Sequence, residues 1–347
     1  MGLPNGTGVA HAPYIQLAPM EGVLDWTLRE MLSDVGGLDR MVTEFVRVTD
    51  RLLPDHVFHR YCPELVQGGK TRAGTPVFIQ LLGGQAQPMA ENAALAATLG
   101  APGIDLNFGC PAKTVNRHDG GASLLKLPER LFQVTAAVVA AVPKNIPVTA
   151  KVRLGFEHKD FHREIAQAVE QGGAAQIVVH ARTKMEMYTP PAHWEYIRSM
   201  REGRSLRFVA NGDIWTVADY WKCVEKSGVR DVALGRGLVR NPLLAHEIRA
   251  SIAGTVAVSK HFERSLFLKR FFDQSSALRG PTFALARLKQ ILRYWSAGDN
   301  QAETWFNHVK VMRETRELTT FFEENLCRTF KCTPGRSAPF ASAPKIF

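Results

Sequence analysis

The sequence is poor in the features that define several large classes of protein. It holds five cysteines, at positions 62, 110, 223, 327 and 332. Their number is odd, they are scattered, and no CxxC pair occurs. That usage offers neither a disulfide framework nor a structural zinc site, and it points to a reducing, cytoplasmic setting with no bound metal. Long apolar runs are also missing. The best, 134–142, is less than half the ~18–20 residues a helix needs to cross a bilayer. The stretch 1–13 lacks a basic n-region and an apolar h-region, so it reads as a flexible lead-in rather than a secretory signal. Acidic residues are in deficit, with 33 Asp+Glu against 43 Lys+Arg. The resulting charge of +10 is uneven: from residue 251 onward 15 Lys+Arg face 8 Asp+Glu. A basic final third suits a polyanionic partner, usually nucleic acid, although charge alone does not separate that from simple solubility.

What is present is ordinary globular material, 45% hydrophobic and 22% charged, with no low-complexity tract. From residue 14 short β-type runs alternate with amphipathic helical segments. The spacing predicts strands at 14–18, 40–44, 76–81, 103–106, 147–152, 176–180, 207–210 and 231–235. Helices are predicted at 25–35, 88–99, 129–142, 161–171, 217–226 and 242–250, with Asp25 and Asn241 as amino-terminal caps. Eight strands, most followed by a helix, over roughly 240 residues match a (β/α)8 TIM barrel. The alternative, a doubly wound open sheet, would place a glycine fingerprint at its first turn, where this chain has Ala18-Pro19-Met20-Glu21-Gly22.

Barrels of this kind carry their chemistry at the carboxyl ends of the strands. Here those ends bring Pro19 and Met20, Glu44, Gln80, Asn107 with Cys110, Lys151 with Arg153, His180, Asn211-Gly212-Asp213, and Gly235-Arg236-Gly237. Each has a bland account taken singly: a lone cysteine is more often a small buried hydrophobe, His180 a satisfied core histidine, Lys151 a snorkelling rim residue. Eight bland accounts in one ring are a poor explanation, so the ring is read as an active site. The last two ends place free backbone N–H groups and an arginine where barrels bind phosphate. A cofactor phosphate there sets a ring system over the mouth, with Met20, Gln80, Lys151 and His180 as its contacts. A lysine beside a flavin pyrimidine ring stabilises the reduced, anionic form.

After residue 250 the pattern is helical, with a stripe at Leu285, Leu288, Leu292 and Trp295. Arg287 and Tyr294 fall together on one flank, an arrangement suited to RNA phosphates and unstacked bases, or equally to a solvated helix shoulder. The organisation expected is therefore a lead-in at 1–13, a barrel at 14–250, a helical domain at 251–330, and a disordered Pro/Ser/Ala-rich tail at 331–347.

Eight segments together resemble the flavin-dependent tRNA dihydrouridine synthases: LAPMEGV (17–23), TEFVRV (43–48), IQLLG (79–83), DLNFGCPAKTV (105–115), KVRLG (151–155), HART (180–183), NGDI (211–214) and GRG (235–237). The resemblance runs from about residue 14 to about 330. TEFVRV and ARLKQILRYW (286–295) look most like the bacterial class acting at position 16 of the D-loop. The resemblance implies an FMN-binding barrel, with Pro19, Met20, Glu21, Gln80, Lys151, His180, Asn211, Gly212, Asp213, Gly235 and Arg236 at the cofactor. It implies NADPH as electron source and Cys110 as proton donor to uracil. Arg47, Asn107, Arg153, Arg287 and Tyr294 are the expected uridine and tRNA contacts, Asn107 by offering both donor and acceptor to the base edge. A monomer is expected, and the loop 112–121 is expected to act as a lid. Two other readings stand beside this one: an FMN barrel acting on a small molecule, of dihydroorotate or enone type, and a non-catalytic RNA-binding barrel.

Overall fold

The computed structural model describes residues 12–112, 120–256 and 262–326. The chain forms two compact units, 1–262 and 263–347. The first is a (β/α)8 barrel of parallel strands: β1 Ile15–Leu17, β2 Met41–Val42, β3 Val46–Arg47, β4 Val77–Leu82, β5 Ile104–Phe108, β6 Val148–Arg153, β7 Gln176–His180, β8 Arg207–Asn211 and β9 Val232–Leu234. β2 and β3 both pair with β4 and together fill one of the eight positions. β1 pairs with β9, and a parallel bridge between Gln16 and Arg40 closes the ring.

Period-two alternation explains the strand sequences. One set of side chains is wholly apolar and buried, including Ile15, Leu17, Ile79, Leu81, Ile104, Leu106, Val152, Ile177, Val179 and Leu234. Each such burial is worth roughly 1.5–3 kcal/mol. The alternate set mixes small apolar residues with polar ones. Ala18, Val178, Val209 and Ala233 form one cluster, while Gln16, Gln80, Asp105, Asn107, Thr149, Gln176 and His180 are buried polar groups. A strand with one greasy set and one polar set reads as amphipathic even though both sides are covered.

The helices begin where local chemistry allows. Asp25 caps Trp26–Val35 by accepting from the Leu28 N–H at 3.0 Å, as expected from the sequence. Thr216 and Asp219 form a reciprocal capping box on Val217–Ser227. Asn241 does not cap as expected; its Oδ1 accepts from the Leu243 N–H at 3.1 Å, and the helix runs Leu244–Ala253. That helix carries the first unit past residue 250, so the boundary falls at 262/263. The sequence also hid a helix at Asp55–Tyr61 and a 3-10 turn at Pro63–Gln67. The turn is tied to the first helix by a buried ion pair, Arg29 Nε to Glu64 Oε1 at 2.8 Å and Nη2 to Oε2 at 2.9 Å.

The second unit contains helices Arg264–Arg279, Pro281–Ser296, Asn300–Val309 and Arg316–Leu326. Leu285, Leu288, Leu292 and Trp295 are buried as the stripe requires. Phe267 packs on Trp295 with ring centroids 5.7 Å apart, and the Trp305 Nε1–H donates to Asn325 Oδ1 at 2.8 Å. The expectations for 1–11, for the tail, and for most of the lid loop (113–119) lie outside the described residues. Among the described residues no helix is long and apolar enough to cross a membrane, and no cluster of His, Cys, Asp and Glu is arranged to hold a metal.

Candidate active site at the barrel mouth

Parallel register brings the predicted residues level. Asn107 pairs with Lys151, and Arg153, His180, Asn211 and Ala233 form one row across four strands. Lys151 is half-buried, and its ammonium makes no hydrogen bond or ion pair among the described residues. Burial, with Arg153 nearby, lowers its ammonium pKa to about 8. His180 is buried, and its pKa is pushed well below the usual imidazole range, first by burial and then by Arg153, Lys151, Arg182 and Arg236. It is therefore neutral. Its Nε2 lies 3.4 Å from Arg182 Nη1, which can only donate, so the ring proton sits on Nδ1.

The loops after β8 and β9 are pressed together in a way only glycine permits. Gly212 has φ +115°, and a Cβ there would lie 2.9 Å from His180 Cδ2. A Cβ on Gly237 would lie 2.1 Å from the Ile214 carbonyl oxygen. Gly237 belongs to the short helix Arg236–Arg240, in which the Leu238 and Val239 N–H groups donate to the Gly235 carbonyl at 3.0 and 3.3 Å. Asp213, with φ 51°, is ion-paired to Arg182 and lies 3.8 Å from Arg236. The Arg236 guanidinium lies 4.9 Å from the Tyr188 ring centroid and 5.1 Å from that of Trp215. Asn211 Nδ2 donates to the Ala233 carbonyl at 2.7 Å. Pro19 and Met20 are half-buried at the end of β1, with Glu21 exposed beside them. Four cations bearing on one neutral histidine, beside the glycine loops, make an electropositive cradle. These residues fit a phosphate-bearing flavin with an electron-rich ring.

Cys110 follows β5, 9% exposed, packed with Leu82 and against Phe45 and Ala112. Burial raises its thiol pKa above the ordinary value. Its backbone is held on both sides: Asn107 Oδ1 accepts from the Cys110 N–H at 2.9 Å, and the Cys110 carbonyl accepts from the Ala122 N–H at 3.1 Å.

Several roles expected from the sequence change here. Gln80 has no exposed surface, and both ends of its amide are engaged, to Asp105 and to Asn107. Its amide thus links Asp105 to Asn107 across the inside of the barrel. Asn107 spends its oxygen on two backbone N–H groups and one amide hydrogen on Gln80, so it retains a single free donor and no free acceptor. Arg153 is 2% exposed and donates to the carbonyls of Gly109 (2.8 Å), Thr183 (3.0 Å) and Met187 (2.8 Å), tying two loops together. Arg47 lies within β3 and is exposed. In the helical unit Arg287 is not on an open flank: it is 7% exposed, bonded to Gln290 and 5.8 Å from the Phe271 ring centroid. Tyr294 is half-buried. Sequence reasoning missed Asp105, Arg182, Tyr188 and Trp215. The first two lie inside quoted motifs at inward-facing parity, whereas Tyr188 and Trp215 sit in loops without periodicity.

A closed parallel barrel with an electropositive, glycine-shaped mouth and a buried thiol at one strand end defines a (β/α)8 barrel enzyme. Residues 16–326 match the dihydrouridine synthase (Dus) family. The chain is 50% identical over 297 residues to the tRNA-dihydrouridine(16) synthase of Aquipseudomonas alcaligenes, covering 85% of this chain and 94% of that one. Identity to the enzyme of that name from Pseudomonas putida is 52% over 279 residues, covering 80% and 86%. For Shewanella oneidensis it is 43% over 309 residues, covering 89% and 96%. Among solved structures, histamine dehydrogenase from Rhizobium sp. 4-9 shares the fold, with a TM-score of 0.51 at 15% identity, over 68% of this chain and 45% of that one. The chain belongs to the dihydrouridine synthase family.

Proposed function

We propose that this enzyme reduces the C5=C6 bond of uridine 16 in the tRNA D-loop to 5,6-dihydrouridine, in the cytoplasm, with FMN as its flavin and NADPH as electron source. Support comes from the family match and from the position specified in the names of relatives at about half identity. The observation that carries the reading is the meeting of a protonated thiol, a partnerless ammonium and a neutral imidazole in one barrel mouth.

Reduction of the double bond needs a hydride at C6 and a proton at C5. A flavin held in the mouth would be the source of the hydride. Cys110 supplies the proton: burial holds it on Sγ at neutral pH, and the pinned backbone fixes where Sγ points. Lys151 would offer its charge to the flavin ring, and the loops at Gly212–Asp213 and Gly235–Gly237 would hold the cofactor phosphate. Asn107 gives its remaining N–H to a uracil carbonyl. Uridine reaches these groups only when turned out of the tRNA fold. Arg47 and Tyr294 contact the RNA outside the mouth, so binding weakens as salt rises.

Replacement of Cys110 by Ser tests the acid role. With NADPH-driven flavin reduction followed separately, dihydrouridine formation is expected to fall ~10²-fold or more. An undiminished product rate sinks the role of Cys110.

A further inference from the structure

Beneath Cys110 lies a continuous hydrogen-bonded chain across three strands. Thr149 Oγ1 donates to Asp105 Oδ1 at 2.5 Å, and Asp105 Oδ2 accepts from Gln80 Nε2 at 2.7 Å. Gln80 Oε1 accepts from Asn107 Nδ2 at 2.8 Å. Asn107 Oδ1 then accepts from the N–H groups of Gly109 at 3.0 Å and Cys110 at 2.9 Å. All four side chains are buried, Asp105 to 1% and Asn107 to 8% exposure.

The polarity of this chain is forced from both ends. Backbone N–H groups only donate, so the atom of Asn107 that faces them is oxygen, which turns its amide nitrogen toward Gln80. Gln80 must then meet that nitrogen with its oxygen and send its own nitrogen to residue 105. A group that accepts there is required, and a carboxylate meets the need. We infer that Asp105 is a positioning residue: its carboxylate sets the orientation of two successive amides and thereby holds the turn that carries Cys110. The inference rests on the proposed acid role of Cys110, and deepens it.

An amide at 105 can keep this order: its oxygen accepts from the Gln80 nitrogen and its own nitrogen donates to the Thr149 hydroxyl, whose proton has the Ile104 carbonyl 3.4 Å away. An apolar residue at 105 cannot. With Asp105→Leu the Gln80 nitrogen loses its acceptor inside the barrel, which is costly for an unhydrated donor, and nothing holds the two following amides in one orientation.

The test compares wild type, Asp105→Asn and Asp105→Leu as holoenzymes. Two readouts are taken: kcat and KM with tRNA, and the rate of Cys110 alkylation by iodoacetamide without tRNA. For Asp105→Leu, kcat is expected to fall about tenfold with KM for tRNA within about twofold, and alkylation to quicken about tenfold as the turn loosens. Asp105→Asn, which keeps an acceptor toward Gln80, is expected to hold both readouts within about twofold of wild type. Wild-type values for Asp105→Leu, or Asp105→Asn no better than Asp105→Leu, overturn the inference. If Asp105→Leu does not fold, Asp105→Asn decides alone: both readouts within about twofold support the inference, and any larger change overturns it. Cys110→Ser separates the two levels, because full activity there removes the acid role itself, whereas failure here leaves that role standing.

Discussion

At the amino-terminal end of the barrel interior, the Arg40 guanidinium lies 4.2 Å from the Phe78 ring centroid and 5.3 Å from that of Tyr14. It donates to Gln16 Oε1 at 2.6 Å, and Gln176 donates to the same oxygen at 3.0 Å. Its Nε is buried without a hydrogen-bond partner. At the other end Lys151 is also pulled down in pKa by burial, yet its ammonium has no hydrogen bond or ion pair among the described residues. Both cations sit inside one barrel and both pay for desolvation. The difference lies in what surrounds them. Arg40 is boxed by two rings and an amide, so it is part of the scaffold. Lys151 keeps its bonding capacity, and a buried cation with unused capacity in a concave site marks where a ligand belongs.

The largest effect expected from breaking the scaffold side of this contrast lies at Arg29–Glu64. Glu64→Ala leaves a buried guanidinium unpaired and should cost ~3–5 kcal/mol of unfolding free energy in denaturant titration. Protein that remains folded should bind flavin as wild type does. On the site side, Lys151→Met should preserve the midpoint of unfolding while FMN affinity falls on the order of tenfold, read by fluorescence of released flavin. An unchanged affinity would move Lys151 to the scaffold class.

Titration sharpens the comparison further. A lysine whose folded pKa is lowered loses its proton earlier on the alkaline side than in the unfolded chain, where about 10.4 is usual. Amine labelling of Lys151 in flavin-free protein should therefore be half-maximal near pH 8, as its depressed pKa of about 8 requires. Because the folded state disfavours the charged lysine, its contribution to stability improves as pH rises from that value toward the unfolded one. Bound anionic cofactor should move the midpoint upward. The smallest effect is expected at Arg40→Leu, within about 1–2 kcal/mol in stability, because replacing a buried charge by an apolar side chain also removes its desolvation cost.

Strand-end logic made much of this legible in the sequence, and physical limits set where it stopped. Cys110, Lys151, His180 and the two glycine loops were identifiable because a parallel barrel sends every strand's carboxyl end to one face. Orientation was not. Gln80 and Asn107 meet partners on neighbouring strands, and no local spacing reveals that an amide's oxygen is already spent. Arg153 looked free because it follows Lys151 by one alternation; its three carbonyl acceptors come from loops brought near only by folding. Arg287 was placed on a helix flank by the wheel, but the buried face is wider than the apolar stripe and includes it. At residue 250 the helix Leu244–Ala253 keeps its pattern, and the first compact unit extends to 262.

On the proposed function, the barrel mouth turns over a single uridine. The most direct test is to incubate tRNA lacking dihydrouridine with the purified enzyme, FMN and NADPH, and to map the product by mass spectrometry of nuclease fragments. A gain of two hydrogens at position 16 alone is the predicted result, and its loss in Cys110→Ser ties it to this site. A gain at another position, or none in a protein that still reduces its flavin, would contradict the account.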